Sequence, residues 1–148
     1  MCANRYIAYD FYKIVTELRP EWAEKKICSD DVILDDKDKK ELKPMEKIKL
    51  VMTRNKDDEK DLFDMLGTKD DRKEFDRQFK NPKSNFKIAI VVDMWLTGFD
   101  VPELDTIYID KPIQQHTLIQ TISRVNRVCE GKDKGLIVDY IGIKKNMN

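Results

Sequence analysis

The sequence predicts an α/β fold in three layers, a mostly parallel sheet with helices on both faces. Three observations predict it. Segments with helical and strand periodicity alternate along the chain, which implies crossover connections between parallel strands. The run Lys87-Ile88-Ala89-Ile90-Val91-Val92-Asp93 is almost continuously apolar and rich in β-branched residues, as a strand buried on both faces requires. The length of 148 residues suits one domain with a sizeable core.

The elements follow in order. Asn4 is placed to cap a helix whose apolar positions Ile7, Phe11, Ile14, Val15 and Leu18 form a stripe, expected to face the core. Arg19-Pro20 ends it. Residues 29–46 are charged, contain Pro44 and read as a loop excursion with at most a short strand at Val32-Ile33-Leu34. Residues 48–53 suit a strand. Asp57, Asp58 and Glu59 favour a helix start; Leu62, Phe63 and Leu66 give that helix an apolar face, and Gly67 fits its exit. Phe75 and Phe79 mark a second helix that stops at Asn81-Pro82. After the apolar run come a strand at 106–109, a helix over 114–127 and a last strand at 135–140.

Composition bounds the function. The chain has 28 basic and 28 acidic residues, which excludes a wholly basic binding domain but not a local phosphate site. Acid gathers at Asp30, Asp31, Asp35, Asp36 and Asp38, read as solvated surface; base gathers at Arg124, Arg127, Lys132 and Lys134. No apolar run approaches the ~20 residues that cross a bilayer, and the start lacks signal-peptide features. The expectation is a cytoplasmic protein that does not enter a membrane. Cys2, Cys28 and Cys129 are odd in number and widely spaced, so they predict plain buried thiols and no metal site.

Two constellations offer chemistry. On the helix 114–127, Leu118, Ile119, Ile122 and Val125 form one face, while Gln120, Arg124 and Arg127 share the other at spacings of four and three. Two guanidiniums and an amide on one stripe can stabilise charge on a transferring phosphoryl group; a solvated polar face is the plain alternative. Thr97-Gly98-Phe99-Asp100-Val101-Pro102 directly follows the apolar strand, where ligands of open α/β sheets bind. Gly98 permits an unusual backbone path, Asp100 offers a carboxylate and Thr97 a hydroxyl; a turn with a capping Asp is the alternative. His116 reads as structural, and Trp95 and Phe99 as packing. No GxxxxGK[ST] loop and no GxGxxG occur, so the chain has no phosphate cradle of its own.

Together these pieces resemble a known family. MWLTGFDVP over 94–102 resembles motif V of superfamily 2 helicases, and QTISRVNR over 120–127 resembles motif VI. The phrases MWLTGFD, LIQTISRVNRV and GLIVDYIGI resemble the restriction (R) subunit of type I restriction-modification enzymes. The Cys2-Ala3-Asn4-Arg5 opening and Leu18-Arg19-Pro20-Glu21-Trp22 resemble its motif IV region, and residues 47–53 its next strand. The resemblance covers most of the chain, is strong over 87–143 and poor over about 29–46.

The resemblance implies that residues 1–148 are a single RecA-like C-terminal helicase lobe, of P-loop NTPase type but lacking the P-loop, from a larger protein. Its first strand would be truncated. ATP would bind between this lobe and a first RecA-like lobe of the same full-length chain, which would hold the magnesium, and a separate nuclease domain would cut DNA. Arg124 and Arg127 would act as arginine fingers. Gln120 would orient them or touch the phosphates, and Gly98 and Asp100 would meet the nucleotide. Thr53 and Thr97 would contact the backbone of double-stranded DNA. A motif IV phosphate contact at Asn4 or Arg5 is left open. Methylation and specificity subunits would be partners, and the chain alone would be inactive. Two other readings are a lobe of a different superfamily 2 helicase and a non-catalytic, partner-binding doubly wound module.

Overall fold

The computed structural model describes residues 1–92, 101–126, 129 and 131–140. Among these residues, four short strands form two parallel pairs. β1 (Ile48–Val51) pairs with β2 (Ile88–Val91), Ile48 opposite Ile88. β3 (Thr106–Ile109) pairs with β4 (Leu136–Asp139), Thr106 opposite Leu136. Met1 and Cys2 stand between the pairs. The Cys2 N–H donates to the Val91 carbonyl at 2.8 Å, and the Asp110 N–H donates to the Met1 carbonyl at 2.9 Å. Two residues make a bridge rather than a strand, so the expected continuous sheet is two pairs joined by this segment.

Side-chain alternation explains what covers β1 and β2. Ile48, Leu50, Ile88 and Ile90 point to one side and join Ala8, Tyr12 and Val15 of helix α1 (Arg5–Leu18) and Leu62 and Leu66 of α3 (Lys60–Leu66). Val51, Ala89 and Val91 point to the other and meet Phe86, with Phe75 and Phe79 of α4 (Lys69–Lys80). Burying each large apolar side chain here contributes roughly 1.5–3 kcal/mol. Ile107, Ile109 and Ile137 pack under Leu118 and Ile122 of α5 (Gln115–Val125). On the opposite face of β3 and β4, Tyr108 and Leu136 are 54% and 57% exposed, and Tyr108 stacks on Tyr140 at 6.5 Å. Helices on both faces are therefore seen for the first pair only, among the described residues.

Several boundaries follow from capping. Asn4 accepts from the Ile7 N–H and starts α1 as expected. Thr68 and Asp71 form a reciprocal capping box that starts α4, a device worth about 0.5–2 kcal/mol. Gly67 ends α3 at φ 68°, a conformation that favours glycine. Within the expected loop excursion, Asp35 and Asp38 form a second capping box and nucleate α2 (Asp36–Glu41). No strand forms at Val32-Ile33-Leu34, where Ile33 is 91% exposed.

Three expectations about burial change. The α1 stripe is turned partly outward: Ile7, Phe11, Ile14 and Leu18 are exposed, and Ala8 is the buried residue. Asp38 is not solvated surface; its side chain is 12% exposed and pairs with Lys83 at 2.5 Å, which holds its carboxyl below the ordinary range. Only Cys2 is fully buried, while Cys28 and Cys129 are half-buried, and all three are free. Among the described residues no helix is long and apolar enough to cross a membrane.

Candidate functional site

Parallel topology separates the candidate residues before any side chain is considered. Thr53 follows the carboxyl end of β1 and is exposed. The loop it opens is held from α1. Arg5 donates from one guanidinium nitrogen to both carboxylate oxygens of Asp58, each at 2.7 Å, and from the other to the Thr53 carbonyl at 2.5 Å. Asp58 also accepts from the Asn55 N–H at 2.7 Å. Arg54 lies over the Phe63 ring at 4.1 Å. The side chains of Asn4 and Arg5 are thus engaged within the protein, Asn4 as a helix cap and Arg5 as a clamp.

The helix α5 leaves the carboxyl end of β3 and runs back along the sheet, so its last turn reaches the entry of β4. Gly135 permits that approach, since a Cβ there would lie 2.1 Å from the Val125 carbonyl oxygen. Leu118, Thr121 and Val125 are its buried residues. Ile119, expected on the apolar face, is 54% exposed, and Thr121 sits inward instead, where its hydroxyl donates to the Thr117 carbonyl at 2.8 Å. A hydroxyl that bonds its own helix can be buried at little cost. The helix is shorter than expected; Gln114 is its N-cap and Asn126 its C-cap.

Gln120 and Arg124 lie four residues apart on the opposite stripe, both half-buried, with the Arg124 Nε buried. His116 continues the stripe one turn earlier. It is exposed, and its ring nitrogen lies 3.2 Å from the Gln120 amide nitrogen. Thr97, Gly98, Asp100 and Arg127 lie outside the described residues.

The structure joins Pro102, the end of the motif V-like segment, to the turn that follows α5. The Pro102 carbonyl accepts from Lys132 Nζ at 3.0 Å and lies 3.5 Å from Cys129 Sγ. Cys129 and Lys132 close a small turn around Gly131, whose φ of 79° favours glycine. Residue spacing cannot show this contact. The basic cluster around Lys132 was its one visible signal.

A cavity of about 440 Å³ lies away from these residues, among Lys43, Glu46, Lys49, Asp71, Glu74 and Phe75. Lys49 is the unusual group in it. It is 6% exposed, its Nζ stands 3.6 Å from Glu46 and 4.3 Å from the Phe75 ring centroid, and burial lowers its pKa. No predicted site residue lines this cavity.

The class of protein is therefore an α/β domain with an amide and a guanidinium on one helix stripe and a clamped loop beyond the carboxyl end of β1. Its family is specific. The chain belongs to the family described as type I restriction enzyme subunit R domain 3, whose sequence model matches residues 4–142. It is 37% identical over 148 residues to the HindI type I restriction enzyme endonuclease subunit of Haemophilus influenzae, covering 98% of this chain and 12% of that protein. It is 50% identical over 103 residues to an endonuclease subunit assigned to the MjaIXP type I restriction enzyme of Methanocaldococcus jannaschii, covering 69% of this chain and 10% of that protein. A Staphylococcus aureus type I restriction enzyme endonuclease subunit is 48% identical over 77 residues, or 48% of this chain and 8% of that protein. The chain spans 12% or less of the length of these relatives. The R-subunit resemblance is borne out.

Proposed function

We propose that this chain is the second RecA-like motor lobe of the ATP-dependent DNA translocase in a type I restriction enzyme R subunit. One observation carries the reading. Gln120 and Arg124 share a polar stripe on a helix anchored by Leu118 and Val125, and the turn after that helix packs on Pro102, the end of the motif V-like segment.

The donor set fits a phosphate chain. Bound ATP would supply the phosphoryl group and its leaving phosphates. Arg124 and Arg127 donate charge-assisted hydrogen bonds to phosphate oxygens as negative charge builds. Gln120 orients these guanidiniums or touches the phosphates, and Gly98 and Asp100 meet the nucleotide. Magnesium and the phosphate cradle come from the first lobe of the same subunit. Thr53 and Thr97 contact the backbone of double-stranded DNA, which gives sequence-independent, salt-sensitive binding. Methylation and specificity subunits supply the recognised sequence, and a separate nuclease domain cuts. The setting is the cytoplasm.

The test uses the full-length R subunit in its assembled enzyme. Arg124→Ala and Arg127→Ala should keep DNA binding and lower ATPase activity, by up to about 10³–10⁵ for a true finger. Near-normal hydrolysis in both variants overturns the assignment. This chain by itself should hydrolyse no ATP, and turnover by the purified chain would show that the site is complete without the first lobe.

A further inference from the structure

We infer that Arg5 and Asp58 are the positioning pair of the DNA-contact loop: together they fix the backbone of residues 53–55 so that the Thr53 hydroxyl is presented to duplex phosphates. The inference rests on the proposed role of Thr53 in contacting DNA. Its basis is the geometry at the carboxyl edge of β1. One guanidinium spans the loop, holding the Thr53 carbonyl at one end and both Asp58 oxygens at the other. Asp58 adds the Asn55 N–H, and its own N–H donates to the Asn55 carbonyl at 3.1 Å. The Asp58 side chain is 8% exposed and that of Arg5 is 26% exposed, so the pair is largely shielded from water and salt.

The clamp takes up the backbone and leaves the hydroxyl. Thr53 is exposed, and among the described residues its carbonyl, not its hydroxyl, is engaged. A single hydroxyl–phosphate bond is worth little if the loop must be ordered on contact, because ordering entropy is of the same size as the gain. Preorganisation removes that loss. Arg5, with its guanidinium turned onto Asp58 and Thr53, acts through the loop rather than as a phosphate ligand.

The experiment measures duplex affinity of the full-length R subunit across a salt series, with thermal unfolding measured in parallel. The variants are Thr53→Val, Arg5→Ala, Asp58→Asn, the double variant Asp58→Asn/Thr53→Val, and the exchanged pair Arg5→Asp/Asp58→Arg. Thr53→Val should weaken binding by about 2–10-fold, the worth of one hydrogen bond. Arg5→Ala and Asp58→Asn should each weaken it similarly with the salt slope unchanged. Adding Thr53→Val to Asp58→Asn should cost little more, and the exchanged pair should not recover affinity, because a carboxylate at 5 cannot donate to the Thr53 carbonyl and a guanidinium at 58 cannot accept from the Asn55 N–H. A direct phosphate contact by Arg5 gives the opposite pattern. Arg5→Ala would then flatten the salt slope by about one, and Asp58→Asn, by releasing the guanidinium, would tighten binding; either result overturns the inference. Thr53→Val with unchanged affinity instead removes the underlying DNA reading, so the two failures are distinguishable.

Discussion

Replacing Gly135 by alanine tests how α5 is held. The added Cβ would lie 2.1 Å from the Val125 carbonyl oxygen, 2.6 Å from its carbonyl carbon and 2.7 Å from its Cβ. Ordinary contact needs roughly 3.5 Å, so the last turn of α5 must lift from the entry of β4 by more than about 1 Å. The obstacle is backbone, with no flexible side chain to swing away, and Val125 is 1% exposed. Overpacking of this kind costs about 1–3 kcal/mol and occasionally more; the upper end applies here. In a domain of this size, about 3 kcal/mol lowers the unfolding temperature by roughly 6–12 °C. The same displacement moves Arg124, one residue before Val125. A misplacement of about 1 Å can cost 10²-fold in rate. The assays are thermal unfolding and DNA-stimulated ATPase of the full-length subunit. Gly131→Ala is the control: nothing lies within 4 Å of its Cβ position, so only its positive φ is penalised, by about 1–2 kcal/mol. Gly135→Ala with normal stability and normal ATPase would refute the packing argument.

Three further outcomes follow from burial and charge. Leu50→Ala should lose about 2–5 kcal/mol in urea unfolding, whereas Ile14→Ser, on the exposed side of α1, should stay within about 0.5 kcal/mol. Gln78 is 1% exposed, and its amide donates to the Glu41 carbonyl and accepts from the Lys43 N–H; Gln78→Leu should cost about 1–3 kcal/mol and speed hydrogen exchange at Lys43. Hydrogen bonds from Lys83 to Asp38, and from Thr68 to Asp71, hold both carboxyls below their ordinary 3.8. Their stabilisation is present above that value and is lost as pH falls through the depressed one. Asp38→Asn should therefore lower stability at neutral pH and flatten its fall below about pH 4, read from acid-unfolding curves; an unchanged acid limb would exclude the Asp38 contribution.

The strands and long helices were legible because period and capping agree. The run Lys87 to Asp93 reads as a strand buried on both faces; β2 forms over Ile88–Val91 with Ile90 buried and its other three residues half-buried, and Asn4 caps as its spacing suggests. The face of α1 was less legible. Tyr9 and Tyr12 carry apolar rings beneath polar tips, and small Ala8 lets the helix approach the sheet, so the packed side centres on these residues rather than on the more apolar stripe. The helix α2 was hidden because all six of its residues are charged and its stability comes from a capping box, not a periodic apolar face. In the candidate site, the Gln120–Arg124 stripe was legible because it is local to one helix. The Arg5 clamp was not, because its partners stand 48 and 53 residues away, and no spacing rule reports such a contact.

The separation of the two candidate contacts has a thermodynamic consequence. A four-residue strand is about 13 Å long, and the eleven residues of α5 span roughly 16 Å. Thr53 follows the carboxyl end of β1, while Arg124 sits near the last turn of α5, beside the entry of β4. Thr53 and Arg124 are then at opposite ends of strands that belong to different pairs, beyond the range of direct interaction between the two side chains. In duplex binding measured without nucleotide, the free-energy changes of Thr53→Val and Arg124→Ala should therefore add, with a coupling below about 0.5 kcal/mol, as for residues more than 7–10 Å apart. A larger coupling would place both residues in one contact network. The separation of Thr53 from Arg124 would then be wrong, whatever the two variants do to hydrolysis.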